Sequence, residues 1–175
     1  VMSGGIGNDT FRIDIVSDVS GLVETIDGGE DLDTLDFLTS SAGGPADITS
    51  AIITSVERLL LGGTELSLTA AQLGGFSTIS GTGLTERIIV GSGTADLSGA
   101  SIAGIEEIRG TAGSNRIMLT DVLNGQFVDG RGGKDNISGS LGSDTLVGGE
   151  GNDTVSGGAG SDIIRGNDGA DRLTG

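Results

Sequence analysis

Along the C-terminal third of the chain one aliphatic residue recurs every nine positions, set in a background of glycine and polar residues. Reading from Gly130, the blocks are GRGGKDNIS, GSLGSDTLV, GGEGNDTVS, GGAGSDIIR and GNDGADRLT, with Gly175 opening another. The aliphatic eighth position is Ile137, Leu146, Val155, Ile164 and Leu173. A period of nine fits neither the 3.6-residue turn of a helix nor a long alternating strand. It fits a three-residue strand, with the eighth position inward and its neighbours outward, followed by a six-residue turn. Two such units close one coil, so residues 18 apart stack. The predicted fold is all-β, a right-handed parallel β-roll or β-helix solenoid with short strands and glycine-rich turns.

Elsewhere the pattern is looser. GGIGNDTFR at 4–12 and GGEDLDTLD at 28–36 repeat the nine-residue motif, the second with Asp31 in place of the position-four glycine. Gly4 and Gly28 are 24 apart, so six extra residues must be absorbed, and SDVSG at 17–21 is the expected bulge. GTAGSNRIM at 110–118 is a worn copy with Asn115 where aspartate belongs. In the middle, PADITSAIITSVERL at 45–59 aligns with TADLSGASIAGIEEI at 94–108, and LSLTAAQL at 66–73 resembles IMLTDVL at 117–123. This predicts a duplicated unit of roughly 50 residues. Runs such as IITSVERLLL and TERIIV, split by GG, GTG and GSG, read as strands in coils wider than those of the nonapeptides. LTAAQL is the one helical candidate. The expected organisation is 1–40 as N-terminal β-roll turns, 41–128 as an irregular parallel β-helix and 129–175 as a regular nonapeptide β-roll, joined as one solenoid.

Composition narrows the chemistry. The 175 residues include 35 Gly, 1 Pro, 4 Phe, no Trp and no Tyr. So few rings argue against a broad globular core. No cysteine or histidine is present, which removes disulfides, thiolate sites and the commonest general base. The formal charge is −16, an unsuitable surface for nucleic acid. No apolar run is long enough to predict a membrane span. The start lacks the anatomy of a signal peptide, and with both ends in or beside repeats the expectation is a monomeric segment of a longer chain.

The acidic charge is ordered. Position six of the blocks is Asp135, Asp144, Asp153, Asp162 and Asp171, with Asp9 and Asp33 in the N-terminal copies. In an 18-residue coil, Asp135 stacks on Asp153, Asp153 on Asp171, and Asp144 on Asp162. Parallel strands lie about 4.7–4.9 Å apart, and two carboxylates so close repel. A cation between them reverses the sign. Calcium–oxygen distances of about 2.3–2.6 Å suit that gap better than the shorter bonds of magnesium. The absence of nitrogen and sulfur donors disfavours transition metals.

These blocks closely resemble the RTX, or haemolysin-type, calcium-binding nonapeptide repeats, whose pattern is G-G-x-G-x-D-x-U-x. The middle is similar to the irregular segments between repeat blocks in large proteins of that family. The resemblance implies sites in which the second and fourth carbonyls and the Asp of one turn meet the first and third carbonyls and the Asp of the turn one coil later. Carried over, one site is Arg131, Gly133 and Asp135 with Gly148, Glu150 and Asp153. The next is Ser140, Gly142 and Asp144 with Gly157, Ala159 and Asp162. A third is Gly149, Gly151 and Asp153 with Gly166, Asp168 and Asp171. An N-terminal site pairs Gly5, Gly7 and Asp9 with Gly28, Glu30 and Asp33. The half-site Gly158, Gly160 and Asp162 faces Gly175. Roughly three to five calcium ions are expected in all. The resemblance also implies a secreted, extracellular or cell-surface protein exported by type I secretion.

No catalytic set emerges, and the chain is expected not to be an enzyme. Glu57, Glu106 and Glu107 could be mistaken for a glycosidase pair but read more simply as a solvated strand face. Arg87 and Arg109 suggest a polysaccharide lyase only faintly. Phe11, Phe37, Phe76 and Phe127 read as core or end-cap residues. Besides a calcium-folded module, two readings stay open: a segment of an extracellular adhesin or polysaccharide-binding matrix protein, and the accessory module of a secreted hydrolase or epimerase.

Overall fold

The computed structural model describes residues 1–13, 25–37, 45–83, 85–120 and 122–175. Its strands are short, two to six residues, because turns interrupt the chain, and every strand pairing among the described residues is parallel. The result is a β-solenoid of about 8 turns. The segment 17–21, expected to bulge, lies outside the described residues.

Four sheets run along the solenoid. One stacks Met2–Gly5, Thr25–Gly29 and Ile52–Thr54. A second stacks Thr10–Arg12, Thr34–Phe37, Arg58–Leu61, Thr78–Gly81 and Ser101–Ala103. The third and longest runs from Ala46–Asp47 through Glu65–Leu68, Arg87–Val90, Glu107–Arg109, Phe127–Asp129 and Thr145–Glu150 to Ile163–Asp168. The fourth holds Gly93–Asp96, Asn115–Met118, Asn136–Ser138, Thr154–Ser156 and Arg172–Thr174.

Coil length changes along the axis. Register partners are 24 apart at the N-terminus (Phe11 with Leu35) and 20 to 23 apart in the middle (Leu59 with Ile79, Leu66 with Ile88, Ile79 with Ile102). They settle at 18 in the last part (Val128 with Leu146, Ile137 with Val155, Leu146 with Ile164). The middle coils have three faces, the third formed by the helical turn Ala70–Leu73 in the coil from 58 to 77, and the last coils have two strands each. The change falls at residues 119–126, beyond the last strand of the second sheet.

The duplicated segments do not stack on each other. Residues 46–47, 52–54 and 58–61 lie in the third, first and second sheets, whereas their counterparts 95–96, 101–103 and 107–109 lie in the fourth, second and third. A 49-residue shift is two coils plus one face. What the duplication preserves is a corner. Asp47 accepts from the Thr49 N–H and hydroxyl (2.9 and 2.7 Å), as Asp96 does from those of Ser98 (3.1 and 2.7 Å). The expected helix is the single turn Ala70–Leu73, closed by a Thr69–Gln72 capping box. The Gln72 amide also ties this turn to the carbonyls of Ile48 (2.9 Å) and Ala51 (2.8 Å).

Inward positions form one continuous core. In the middle it is broad, with Leu59, Leu61, Leu66, Leu68, Ile79, Ile88, Val90 and Ile108 all nearly or fully buried. In the last coils it thins to one aliphatic per strand: Val128, Ile137, Leu146 and Val155. Phe11, Phe37 and Phe76 are buried, but Phe127 is not a core residue and is 38% exposed. Val128 takes the inward place in that strand, and side-chain alternation turns Phe127 out beside Thr145.

Candidate metal-binding turns

Each six-residue turn ends one residue before a strand, and its last residue turns its side chain into the turn. The position-one glycine makes room for it. A Cβ on Gly130, Gly148, Gly4 or Gly28 would collide with the carboxylate of Asp135, Asp153, Asp9 or Asp33. The column then links to the coil before. Asp153 Oδ1 accepts from the Asp135 N–H (2.8 Å), Asp171 Oδ1 from the Asp153 N–H (2.9 Å) and Asp162 Oδ1 from the Asp144 N–H (3.0 Å). At the N-terminus Asp33 Oδ1 accepts from the Asp9 N–H (2.7 Å). Asp33, Asp135, Asp144 and Asp153 are all buried.

Glu57 and Glu106 belong to this arrangement. Each precedes a strand, so neither sits on a strand face. Glu57 Oε2 accepts from the Asp33 N–H (3.0 Å), and Glu106 Oε2 from the Glu86 N–H (2.7 Å). Here the glutamate side chain makes the link to the coil before that aspartate makes in the repeat turns. The signal was present in the sequence: each stands two residues before an inward aliphatic, Leu59 or Ile108, as the repeat aspartates do.

The second carboxylate oxygens differ. Oδ2 of Asp9, Asp33, Asp135 and Asp153 is buried with no hydrogen-bond partner. Burial pushes the Asp135 carboxyl up to about 6, with Asp153 and Asp129 adding to the rise and the Asn115 N–H opposing it. A buried carboxylate oxygen without a donor is costly unless a cation meets it.

Backbone oxygens line the spaces between successive turns. A Cβ on Gly149 or Gly151 would overlap the carbonyl oxygen of Arg131 or Gly133, one coil earlier. From the other side, the Gly148 carbonyl faces Gly130, and the Glu150 carbonyl accepts from the Gly133 N–H (2.8 Å). The Arg131 carbonyl accepts from the Glu150 N–H (2.8 Å). The next pair of turns follows suit: the Ser140 and Gly142 carbonyls lie against Gly158 and Gly160, and the Gly157 carbonyl against Gly139. In the third pair the Gly151 and Gly166 carbonyls face Gly169 and Gly148, and the Asp168 carbonyl accepts from the Gly151 N–H (2.7 Å). At the N-terminus the Gly5 carbonyl accepts from the Glu30 N–H (2.9 Å) and the Gly28 carbonyl faces Gly4.

Among the described residues no three His, Cys, Asp or Glu side chains gather at one point. The gaps therefore offer a mixed donor set of paired carboxylates and carbonyls, all oxygen, which fits a hard cation such as calcium. Arg87 and Arg109 are not part of it. Arg87 bonds Glu65 (2.8 Å) and Glu107, and Arg109 bonds Glu107 (2.7 Å), on the outer surface of the longest sheet. Hydrogen bonds from Glu65 and Glu107 hold the Arg87 guanidinium above its ordinary pKa.

Short parallel strands, glycine turns and an acidic column at the turn ends define this molecule as a parallel β-solenoid with a β-roll at its C-terminal end. Residues 129–164 and 147–175 match the family model of the RTX calcium-binding nonapeptide repeat, which occurs in 4 copies. Residues 129–175 therefore carry RTX repeats, which imply a calcium-binding β-roll module there. No curated protein and no solved structure matches the chain. No helix is long and apolar enough to cross a membrane among the described residues.

Proposed function

We propose that calcium folds the 130–175 block and that the chain serves as a stabilising, secretion-associated module of a larger secreted protein. The observation that carries this reading is the buried, partnerless Oδ2 of Asp135 and Asp153, each beside a carbonyl oxygen of the next coil, Gly148 and Gly166, that crowds the same glycine. Arg131, Gly133 and Asp135 with Gly148, Glu150 and Asp153 would hold one ion. Gly149, Gly151 and Asp153 with Gly166, Asp168 and Asp171 would hold a second. Gly5, Gly7 and Asp9 with Gly28, Glu30 and Asp33 would hold another, supported by the lone Oδ2 of Asp9 and Asp33. The ion supplies positive charge between layers that otherwise repel, so binding free energy becomes folding free energy. RTX repeats occur in secreted bacterial proteins. A low-calcium cell interior would keep the block open for export, and the medium outside would close it.

Hydrogen exchange and circular dichroism across a calcium titration test the proposal. Amides of 130–175 are expected to exchange freely with chelator present and to become protected, with a gain of β signal, as calcium is added. Equal protection of this block in chelator and in calcium would overturn it.

A further inference from the structure

The repeat turns fall into two backbone classes. In six of them positions two and four both lie in the left-handed region: Gly5 and Gly7, Gly29 and Asp31, Arg131 and Gly133, Gly149 and Gly151, Gly158 and Gly160, Asn167 and Gly169. Three of these twelve positions are not glycine: Asp31 and Asn167, residue types that tolerate the region, and Arg131, for which it costs about 1–2 kcal/mol. At Arg131 the conformation is thus kept although residue type opposes it. The turns 110–115 and 139–144 have neither position in that region, although both keep glycine at position four, Gly113 and Gly142.

What separates the classes is position two. In the exceptions it is Thr111 and Ser140. The Thr111 N–H donates to Asn115 Oδ1 (3.0 Å) and the Ser140 N–H to Asp144 Oδ2 (2.7 Å). The Ser140 hydroxyl shares its one hydrogen between the two Asp144 oxygens (2.9 and 3.0 Å). The Gln126 N–H, one coil earlier, takes Asp144 Oδ1 (2.6 Å). A third turn, 81–86, has the same layout: the N–H and hydroxyl of Thr82 both donate to Glu86 Oε1 (3.0 and 2.8 Å). In the left-handed turns 4–9, 28–33, 130–135 and 148–153, by contrast, Oδ2 of the final Asp has no donor.

The cause is local. Rotating φ at position two swings the peptide plane before it. With φ positive the position-two N–H leaves the turn interior, and with φ negative it points at the position-six carboxyl. Serine and threonine favour the second state, because they disfavour positive φ and their hydroxyl adds a bond to the same carboxyl. A cation placed there would face the positive ends of the Ser140 N–H and O–H dipoles.

We propose that position two selects which turns take calcium, and that Ser140 closes the Asp144–Asp162 gap to the ion. This rests on the calcium reading above and narrows it. Calcium then loads the face carrying Asp135, Asp153 and Asp171, while the opposite face of the roll is fastened at Asp144 by the chain's own hydroxyl. The Asn115 rung is metal-free for the same reason. Its Nδ2 donates to the carbonyls of Val90 (3.2 Å) and Gly91 (3.0 Å), so a neutral amide binds oxygens that a cation would otherwise attract. Thr111 and Ser140 thus flank the junction where wide coils become narrow, giving the calcium-dependent coils a footing that forms without metal.

The test is a crystal structure of the whole chain grown in calcium, with the anomalous signal read at each rung, together with calcium counted per chain by calorimetry for the wild type, Ser140→Gly and Arg131→Ser. The expected anomalous map has peaks at the Asp135–Asp153 and Asp153–Asp171 gaps and none at Asp144–Asp162. Ser140→Gly is expected to gain about one ion per chain, and Arg131→Ser, which already carries a Cβ at that position, to lose about one. A peak at Asp144–Asp162 in the wild type would overturn the proposal and leave the calcium reading standing, as would an unchanged count in Ser140→Gly. A wild-type chain that binds no calcium at all would overturn both.

Discussion

The middle coils and the last coils are built from the same kind of strand but held together differently. From 58 to 109 each coil has three faces and 20 to 23 residues, and pairs such as Leu59 with Leu61 or Ile88 with Val90 put two buried aliphatics in one strand. From 127 onward each coil has two faces and 18 residues, and one aliphatic per strand reaches the interior. Each buried aliphatic contributes about 1.5–3 kcal/mol, so the middle gains more apolar stabilisation per coil. The last coils replace it with a carboxylate column whose repulsion has to be neutralised. A narrow coil leaves no room for a wide core, while the carboxylate link between successive coils is kept in narrow and wide coils alike.

Four experiments would break or sharpen this contrast. The largest effect is expected from Asp153→Ala, which removes the carboxylate shared by two proposed gaps and the acceptor of the Asp135 N–H. Calcium affinity of the last block should fall at least about tenfold, while hydrogen exchange of 58–109 stays unchanged. If the middle lost protection to the same extent, the two regions would be one cooperative unit. Next is Ile79→Ala in the middle. Its side chain is fully buried, so a loss of about 2–5 kcal/mol is expected, and of equal size with chelator and with calcium. A loss that appeared only in calcium would contradict the division.

The third is a pH series. The raised Asp135 carboxyl favours the protonated form in the metal-free fold. The stability this group lends that fold is present at low pH and is lost as pH rises through about 6. Calcium needs the ionised form, so below about 6 its affinity should drop by up to about tenfold per pH unit, measured by calorimetry. A flat profile between about pH 5 and 7 would contradict a raised Asp135 carboxyl in the calcium gap. The smallest effect is expected from Arg87→Ala. It breaks the pairs with Glu65 and Glu107 but should cost about 1 kcal/mol or less in thermal denaturation, since partly exposed ion pairs contribute little.

Much of this was legible in the residues. The nine-residue spacing gives the strand, the inward position and the 18-residue coil, because a six-residue turn followed by three extended residues is a local matter. The position-six aspartates could be named for the same reason. The short helix at 70–73 followed from LTAAQL, whose Thr69 and Gln72 make a capping box without outside help. Phe127 misled because hydrophobicity alone does not tell which side of a three-residue strand faces in.

The sequence by itself determined the repeat, its strands and its acidic column, since these depend on residues within one turn of each other. Only the tertiary structure decided which turns lie over which. Coil length, summed over several turns, sets that match. It places the duplicated segments on different faces, brings Glu57 and Glu106 into the carboxylate arrangement, and stacks an amide at Gln126 against Asp144. The backbone class of each turn, by contrast, is again a local matter, set by the residue at position two. Gly142 and Gly133 occupy the same place in the motif, yet only Gly133 adopts a positive φ, because Ser140 finds its partner in Asp144 when the turn closes.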